Sequence, residues 1–440
     1  MTETFAYPGV GLIEADRQRQ QREPLQFLTL LAALFAIFAL SIVRIYPWNY
    51  VVKGLGGFLA FVYLVQASRG RNWIVTELII FAIWTAWCLL GVFGGAFAEL
   101  FWTRWFTVVQ MLILILVVSS SSNSRRHAKV ILAAYMIGGA ILGIASVTSG
   151  SWKIAAEEEG RLVGMGANPN GFGRTMVFIT LCAMFFWMQP SRRIWLKRIL
   201  LGSFAAVAGY AALLTGSRFS AGGLALLYLL WGWFCYRKEL LRRPLFYAAT
   251  ILVTVVAGYF IVMQVSEMPI GARFVSAWET LHGKKTEGST GSRLEMYKEG
   301  LDVLSTSPVV GVGLGNFWVL SKMQRPAHSD YTEVFTGTGV VGGVIYYSIY
   351  VVLWMRTGRI RKRSKDPLAR QEAGLVRALI LVMLFLGLGA PNYGTKYAWL
   401  ILAPFIGYTA AIWHSMRAEQ PEADGPRTAE GTVQPTSRPF

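Results

Sequence analysis

Charged residues are scarce in this chain: Asp, Glu, Lys and Arg make up 15% of its 440 residues, against roughly 25% in ordinary soluble proteins. That shortage excludes an intrinsically disordered chain and leaves too little polar surface to clothe two or three soluble domains. Cysteine is nearly absent as well. Cys88, Cys182 and Cys235 each sit inside an apolar run, without the paired spacing of a disulfide framework or a zinc site, so they read as small buried hydrophobes. Also missing are an H-E-x-x-H pair, an Asp-x-Asp pair and a Walker loop, which disfavours metal and nucleoside triphosphate chemistry. Carboxylates deep within the apolar runs are almost lacking, Glu77 standing near the border of one. Proton relays and ion-coupled carriers depend on such groups.

What is there in quantity is apolar side chain: 54% of the residues are hydrophobic and 14% aromatic, for a mean hydropathy of +0.45. The runs approach the ~20 residues that span a bilayer. They predict an all-α polytopic membrane protein with about 12 transmembrane helices, within a range of 10–12, at residues 25–43, 51–67, 73–93, 105–119, 130–148, 170–188, 199–216, 219–236, 245–264, 334–355, 373–390 and 397–414. Residues 1–24 then form a cytoplasmic tail, 25–264 the first nine spans with an outer loop at 149–168, 265–335 a large outer loop, 334–414 the last three spans, and 415–440 a disordered tail.

The formal charge of +18 invites a nucleic-acid partner until its distribution is considered. With a cytoplasmic amino terminus, the inner side holds 27 of the 42 basic residues and 12 of the 24 acidic ones. Every inner loop is basic, as the positive-inside rule requires. The charge therefore reports topology and contact with the lipid bilayer, and nucleic acid is excluded as its explanation.

Two outer segments exceed what a connection needs: 149–168 and the 71 residues from Val265 to Phe335. In the second, Leu294, Tyr297, Leu301 and Leu304 recur at helical spacing, which predicts an amphipathic surface helix ending near Ser307-Pro308. Gly311, Gly313 and Gly315 follow it. They lack the G-x-G-x-x-G spacing and a βαβ setting, so they read as a tight turn needing positive φ that shapes a site, not as a phosphate cradle.

Of the four histidines, only His328 stands at an outer helix entrance. It is either a solvated helix-start residue or a general base working near neutrality. Arginines also occur on the outer side, against the charge rule: Arg161 in the first long loop, Arg174 within the sixth span, Arg218 in the turn before the eighth, and Arg293. A planar fork gripping diphosphate oxygens explains such placement; snorkelling toward lipid phosphate is the alternative. For Arg161, a salt bridge to Glu157, Glu158 or Glu159 is equally consistent.

Four stretches taken together resemble the O-antigen ligase and polymerase family of membrane glycosyltransferases. They are Asn168-Pro169-Asn170; Leu214-Thr215-Gly216-Ser217-Arg218; Ser292-Arg293 with Pro308 and the glycines at 311, 313 and 315; and His328-Ser329-Asp330-Tyr331 with its trailing glycines. Where family members often carry Asn after the histidine, this chain has Ser329. The resemblance implies a GT-C-like helical fold with a large helical periplasmic loop, in the bacterial inner membrane with both termini cytoplasmic. It further implies an inverting transfer, without metal or other cofactor, of a glycan from undecaprenyl diphosphate to the hydroxyl of a glycan or lipid-linked acceptor. His328 would take the acceptor proton with Asp330 orienting its ring, and Arg174, Arg218, Arg293 and, at second rank, Arg161 would hold the diphosphate. A multi-pass solute or anion transporter with an arginine-lined entry is the competing class, and a structural partner in an assembly complex the third.

Overall fold

The computed structural model describes residues 26–41, 47–67, 75–93, 97–148, 168–242 and 289–418. All regular structure among them is helical: α1 (Phe27–Ser41), α2 (Trp48–Ala67), α3 (Thr76–Cys88, continued by a 3-10 turn over Leu89–Val92), α4 (Ala98–Ser120), α5 (Arg125–Thr148), α6 (Pro169–Met188), α7 (Ile194–Leu214), α8 (Arg218–Arg242), α9 (Ser289–Thr306), α10 (Phe317–Leu320), α11 (Asp330–Arg363), α12 (Pro367–Gly387) and α13 (Lys396–Ala418). Eleven of the twelve predicted spans coincide with a helix. The ninth, 245–264, lies outside the described residues, as do the tail 1–24, most of the loop 149–168, and residues 265–288 of the large loop.

Among the described residues, seven helices are long and apolar enough to cross a bilayer: α2, α4, α5 (Arg125–Ser146), α6, α7, α8 and α11. Helices α1 and α3 are apolar but shorter. The chain is thus an all-helical polytopic membrane protein. Lipid tails are as apolar as leucine, so close packing and internal hydrogen bonds must hold such helices together. Helices α6 and α13 form the centre: thirteen consecutive residues of α13, Ala398 to Ala410, are buried. On α2, by contrast, Phe58, Phe61 and Leu64 are exposed, as a lipid-facing surface requires. Close approach depends on small residues at the crossings. A Cβ added to Gly407 of α13 would stand 2.0 Å from the Ser119 carbonyl oxygen of α4.

Buried aromatic rings fill the middle, where Trp84, Phe81, Tyr346 and Trp399 meet edge-on or tilted with centroids 4.7–6.4 Å apart. All three cysteines are buried and free. At the end of the bundle carrying Arg125, ionic side chains are built into the core. Arg125 bonds Asp366 at 2.6 Å, Glu372 at 3.1 Å and the Tyr408 hydroxyl at 2.8 Å. Gln189 donates to the other Glu372 oxygen at 2.9 Å, and Arg356 pairs with buried Glu77.

Candidate active site around His328

The opposite end is organised by a break in α11. Its 34 residues would extend about 51 Å as a straight helix, but Gly339 adopts φ 69° and ψ −178°, which interrupts the hydrogen-bond ladder. Several of the groups this releases find partners elsewhere in the fold. Thr336 O accepts from Val312 N at 2.8 Å and Gly337 O from Gly313 N at 3.1 Å, while Val340 N donates to Pro308 O at 2.8 Å. Thr338 O accepts from the Trp87 indole at 2.9 Å. The glycine loop therefore mends a broken helix. Gly311, Gly313 and Gly315 all have positive φ, at 73°, 89° and 84°, and a Cβ on Gly311 would lie 2.5 Å from the Gly339 and Thr338 nitrogens. Only glycine fits this approach. The amides of Val312 and Gly313 point into α11, so they are not available as an anion cradle.

Helix α9 ends at Thr306, next to the predicted Ser307-Pro308 stop. The side it turns to the protein carries other residues than the apolar stripe. Met296 and Gly300 face inward, whereas Leu294 and Leu301 are exposed. Met296 joins Phe317 and Ala327 in a small core of its own, with Val303 and Met323 against it. Tyr297 fastens the helix to α12 by donating to Leu388 O at 2.6 Å.

These elements bring Arg293 and His328 together, with Arg218 one residue from the ring that carries Arg293. The turn between α7 and α8 is set by Gly216 at φ 63° and by Ser217, whose Oγ accepts from Ser220 N at 3.3 Å. That cap places half-buried Arg218 at the first position of α8. Phe219, next to it, packs on Phe385 and carries Arg293 above its ring, with the guanidinium carbon 4.9 Å from the centroid. Arg293 and Arg325 in turn face His328. Burial and the repulsion of these two cations hold the half-buried imidazole below its ordinary pKa, so the neutral, proton-accepting form prevails at pH 7.

His328 itself has φ 51°. A left-handed conformation costs a non-glycine residue roughly 1 kcal/mol or more, and such strain concentrates at functional sites. Fully buried neighbours hold it on both sides. Ala327 N donates to the Glu333 Oε1 at 3.1 Å, and Ser329 caps α11 through Thr332 N. Ser329 thus has a local role as N-cap.

Asp330 and Arg174 lie deeper. The Asp330 carboxylate accepts from Asn392 N at 2.5 Å, Tyr393 N at 3.0 Å and the Tyr347 hydroxyl at 3.2 Å. Both its oxygens are engaged there, so its contacts are with the 392–393 turn and Tyr347, not with the His328 ring. Arg174 is 5% exposed. It donates to Asn392 Oδ1 and to Pro391 O, the latter at 3.4 Å, with Asp330 in electrostatic reach. The two residues secure the same turn from opposite sides, and Asn392 completes the network by donating to Met383 O at 2.9 Å. Arg161 lies outside the described residues.

The sequence reading missed Arg325, Arg104, Phe219, Glu333 and Asn392. Arg325 could have been found by the rule that singled out the other outer arginines. Arg104 fell one residue before the predicted start of the fourth span, where it passed for loop charge; its side chain packs on Gly315. Among the described residues, no three His, Cys, Asp or Glu side chains gather to hold a metal ion.

Residues 203–347 match the family model described as O-antigen ligase. The matched segment, about a third of the chain, runs from within α7 to the middle of α11 and contains Arg218, Arg293, His328, Asp330 and the three loop glycines. This supports the O-antigen ligase and polymerase family and, with it, an O-antigen ligase-like function in surface polysaccharide synthesis. No curated protein matches the chain.

Proposed function

We propose that this protein is a glycosyltransferase that moves a glycan from undecaprenyl diphosphate to an acceptor hydroxyl at the periplasmic face of the inner membrane, as ligase or polymerase. The observation that carries the reading is Arg293, held on the ring of Phe219 next to Arg218 in the chain, beside a half-buried His328. In the reaction, the acceptor oxygen attacks the anomeric carbon from the face opposite the diphosphate, so the sugar inverts. Its proton passes to the neutral His328 imidazole, and the bond to the diphosphate oxygen breaks. Arg218 and Arg293 stabilise the charge that collects on the departing diphosphate. In this scheme Arg174 and Asp330 support the site by fixing the 391–393 turn. The chemistry as written asks for no metal or organic cofactor, and transfer is expected to survive EDTA.

His328→Ala and Arg218→Ala should each lower transfer by about a thousandfold while the protein inserts in normal amounts. Glycan profiles of a strain lacking the gene give the broader test. Long carrier-linked chains that never reach an acceptor mark a ligase, and single repeats in place of long chains mark a polymerase. Full activity in both variants would remove the site assignment, whereas an unchanged profile would count against the enzyme reading and favour a transporter.

A further inference from the structure

We propose that Glu333 is the positioning residue for His328, acting through the backbone of the turn that bears the imidazole. The proposal rests on His328 being the proton acceptor, as put forward above. Three observations carry it. His328 and Gln324 are the described non-glycine residues with positive φ, so this turn is bent against its own preference at both ends. Glu333 is 6% exposed, and its Oε1 takes the N–H of Ala327, the residue directly before the histidine. Ala327 is also seated in the small core of Met296 and Phe317, so the bond fixes a backbone already located by packing.

Nothing in helix α11 alone calls for a buried carboxylate at this position. A glutamate one turn into the helix reaches back to an amide ahead of the N-cap, whereas a capping-box glutamate would bond the N-cap residue's own N–H. Here the glutamate stands one position later than in that box and its target amide two positions earlier, so the bond spans the histidine. Arg104 of α4 lies in electrostatic reach of the carboxylate and packs on Gly315, which ties the anchor to the loop that mends α11. Without the anchor, Ala327 N loses its partner, and His328 is free to relax to negative φ and swing its ring away from Arg293 and Arg325, the two charged groups facing it from α9 and from its own loop.

The test compares Glu333→Gln, which keeps an oxygen acceptor, with Glu333→Leu, which keeps the volume only. Glu333→Ser, polar but too short to reach Ala327, is carried alongside in case the leucine variant does not accumulate. Two quantities are read on the full-length protein in detergent. The first is the pH dependence of His328 carbethoxylation by diethylpyrocarbonate, followed by peptide mass spectrometry. The second is turnover with a polyprenyl-diphosphate-linked glycan. Glu333→Gln should match the wild type in both. The leucine and serine variants should react several-fold faster with the reagent, with a midpoint moved up toward the ordinary histidine value of about 6.5. Their kcat should fall about a hundredfold with little change in donor KM, because a misplaced base loses rate rather than binding. Superimposable labelling profiles for leucine, serine and wild type would overturn the proposal, as would a glutamine variant shifted as far as leucine. Wild-type protein without transfer activity would refute the enzyme reading alone, since the labelling arm decides the positioning role independently.

Discussion

At the Arg125 end of the bundle, guanidinium groups meet carboxylates inside the protein: Arg125 with Asp366 and Glu372, Arg356 with Glu77. Around His328, Arg293 instead lies on the face of Phe219 and directs its field at an imidazole. The difference separates two uses of the same side chain. A buried pair joins helices that are distant in sequence, and its charge is already compensated by its partner. A guanidinium resting on an aromatic ring uses its flat face for packing, and the ring fixes the plane of its N–H groups. Arg174 belongs with the first group despite its position, since its N–H groups hold the 391–392 turn.

The sharpest way to break this comparison is to remove one member of an ionic cluster. Arg125→Ala leaves Glu372, 1% exposed, with the neutral donors Gln189 and Tyr408. An uncompensated buried carboxylate of this kind should cost about 3 kcal/mol of stability, read as an earlier unfolding transition in detergent. Turnover per folded molecule should stay at the wild-type level. The double change Arg125→Met with Glu372→Met should recover most of the loss, because no charge is then left buried alone.

Arg293→Ala should do the reverse. Unfolding should shift by little, and transfer should fall about a hundredfold through loss of transition-state charge stabilisation. Arg293→Lys should be intermediate, since a point charge remains but the stacked fork does not. If the alanine variant instead melts early and keeps its turnover per folded molecule, Arg293 is a structural arginine like Arg125, and the distinction between the two ends disappears.

Much of the architecture was legible because it is written as periodic hydrophobicity and charge bias. The tight turn at 215–217 and the stop near Pro308 were readable for the same kind of local reason. The break at Gly339 was not. It sits among Gly337, Gly342 and Gly343, and what selects it is the fit of Gly311 and Val309 against it, a contact made across the fold. The protein-facing side of α9 was not legible because Met296 faces a core contributed by the distant residues Phe317 and Ala327, and Gly300 meets Thr332 of α11. Within the site, outer arginines stood out by opposing the topology rule, but the rule is blind to depth. It could not tell Arg174, buried and turned to Asn392, from Arg218 at a helix start. Asn392 and Glu333 carry no such anomaly, and their importance appears only through the hydrogen bonds they accept.

The smallest expected effect concerns pH, and its sign follows from the surroundings of His328. Burial and the nearness of Arg293 and Arg325 disfavour the imidazolium, so the folded-state pKa lies below the unfolded value of about 6.5. A group shifted in this direction contributes stability that is present above pH ~6.5 and is lost as the pH falls through the folded pKa. Because the ring is half-buried and solvent screens it, that contribution should be slight. Activity is the better readout: a base that must be neutral keeps working as the pH drops below 6.5, and transfer should decline only in the more acid range. Arg325→Gln removes one of the two repelling charges without touching the helix bundle. It should move the acidic limb of kcat upward by a fraction of a unit while leaving the plateau within about twofold. An acidic limb that stays put would mean that His328 does not govern it, whereas a plateau lowered as deeply as in Arg293→Ala would place Arg325 among the groups that hold the diphosphate.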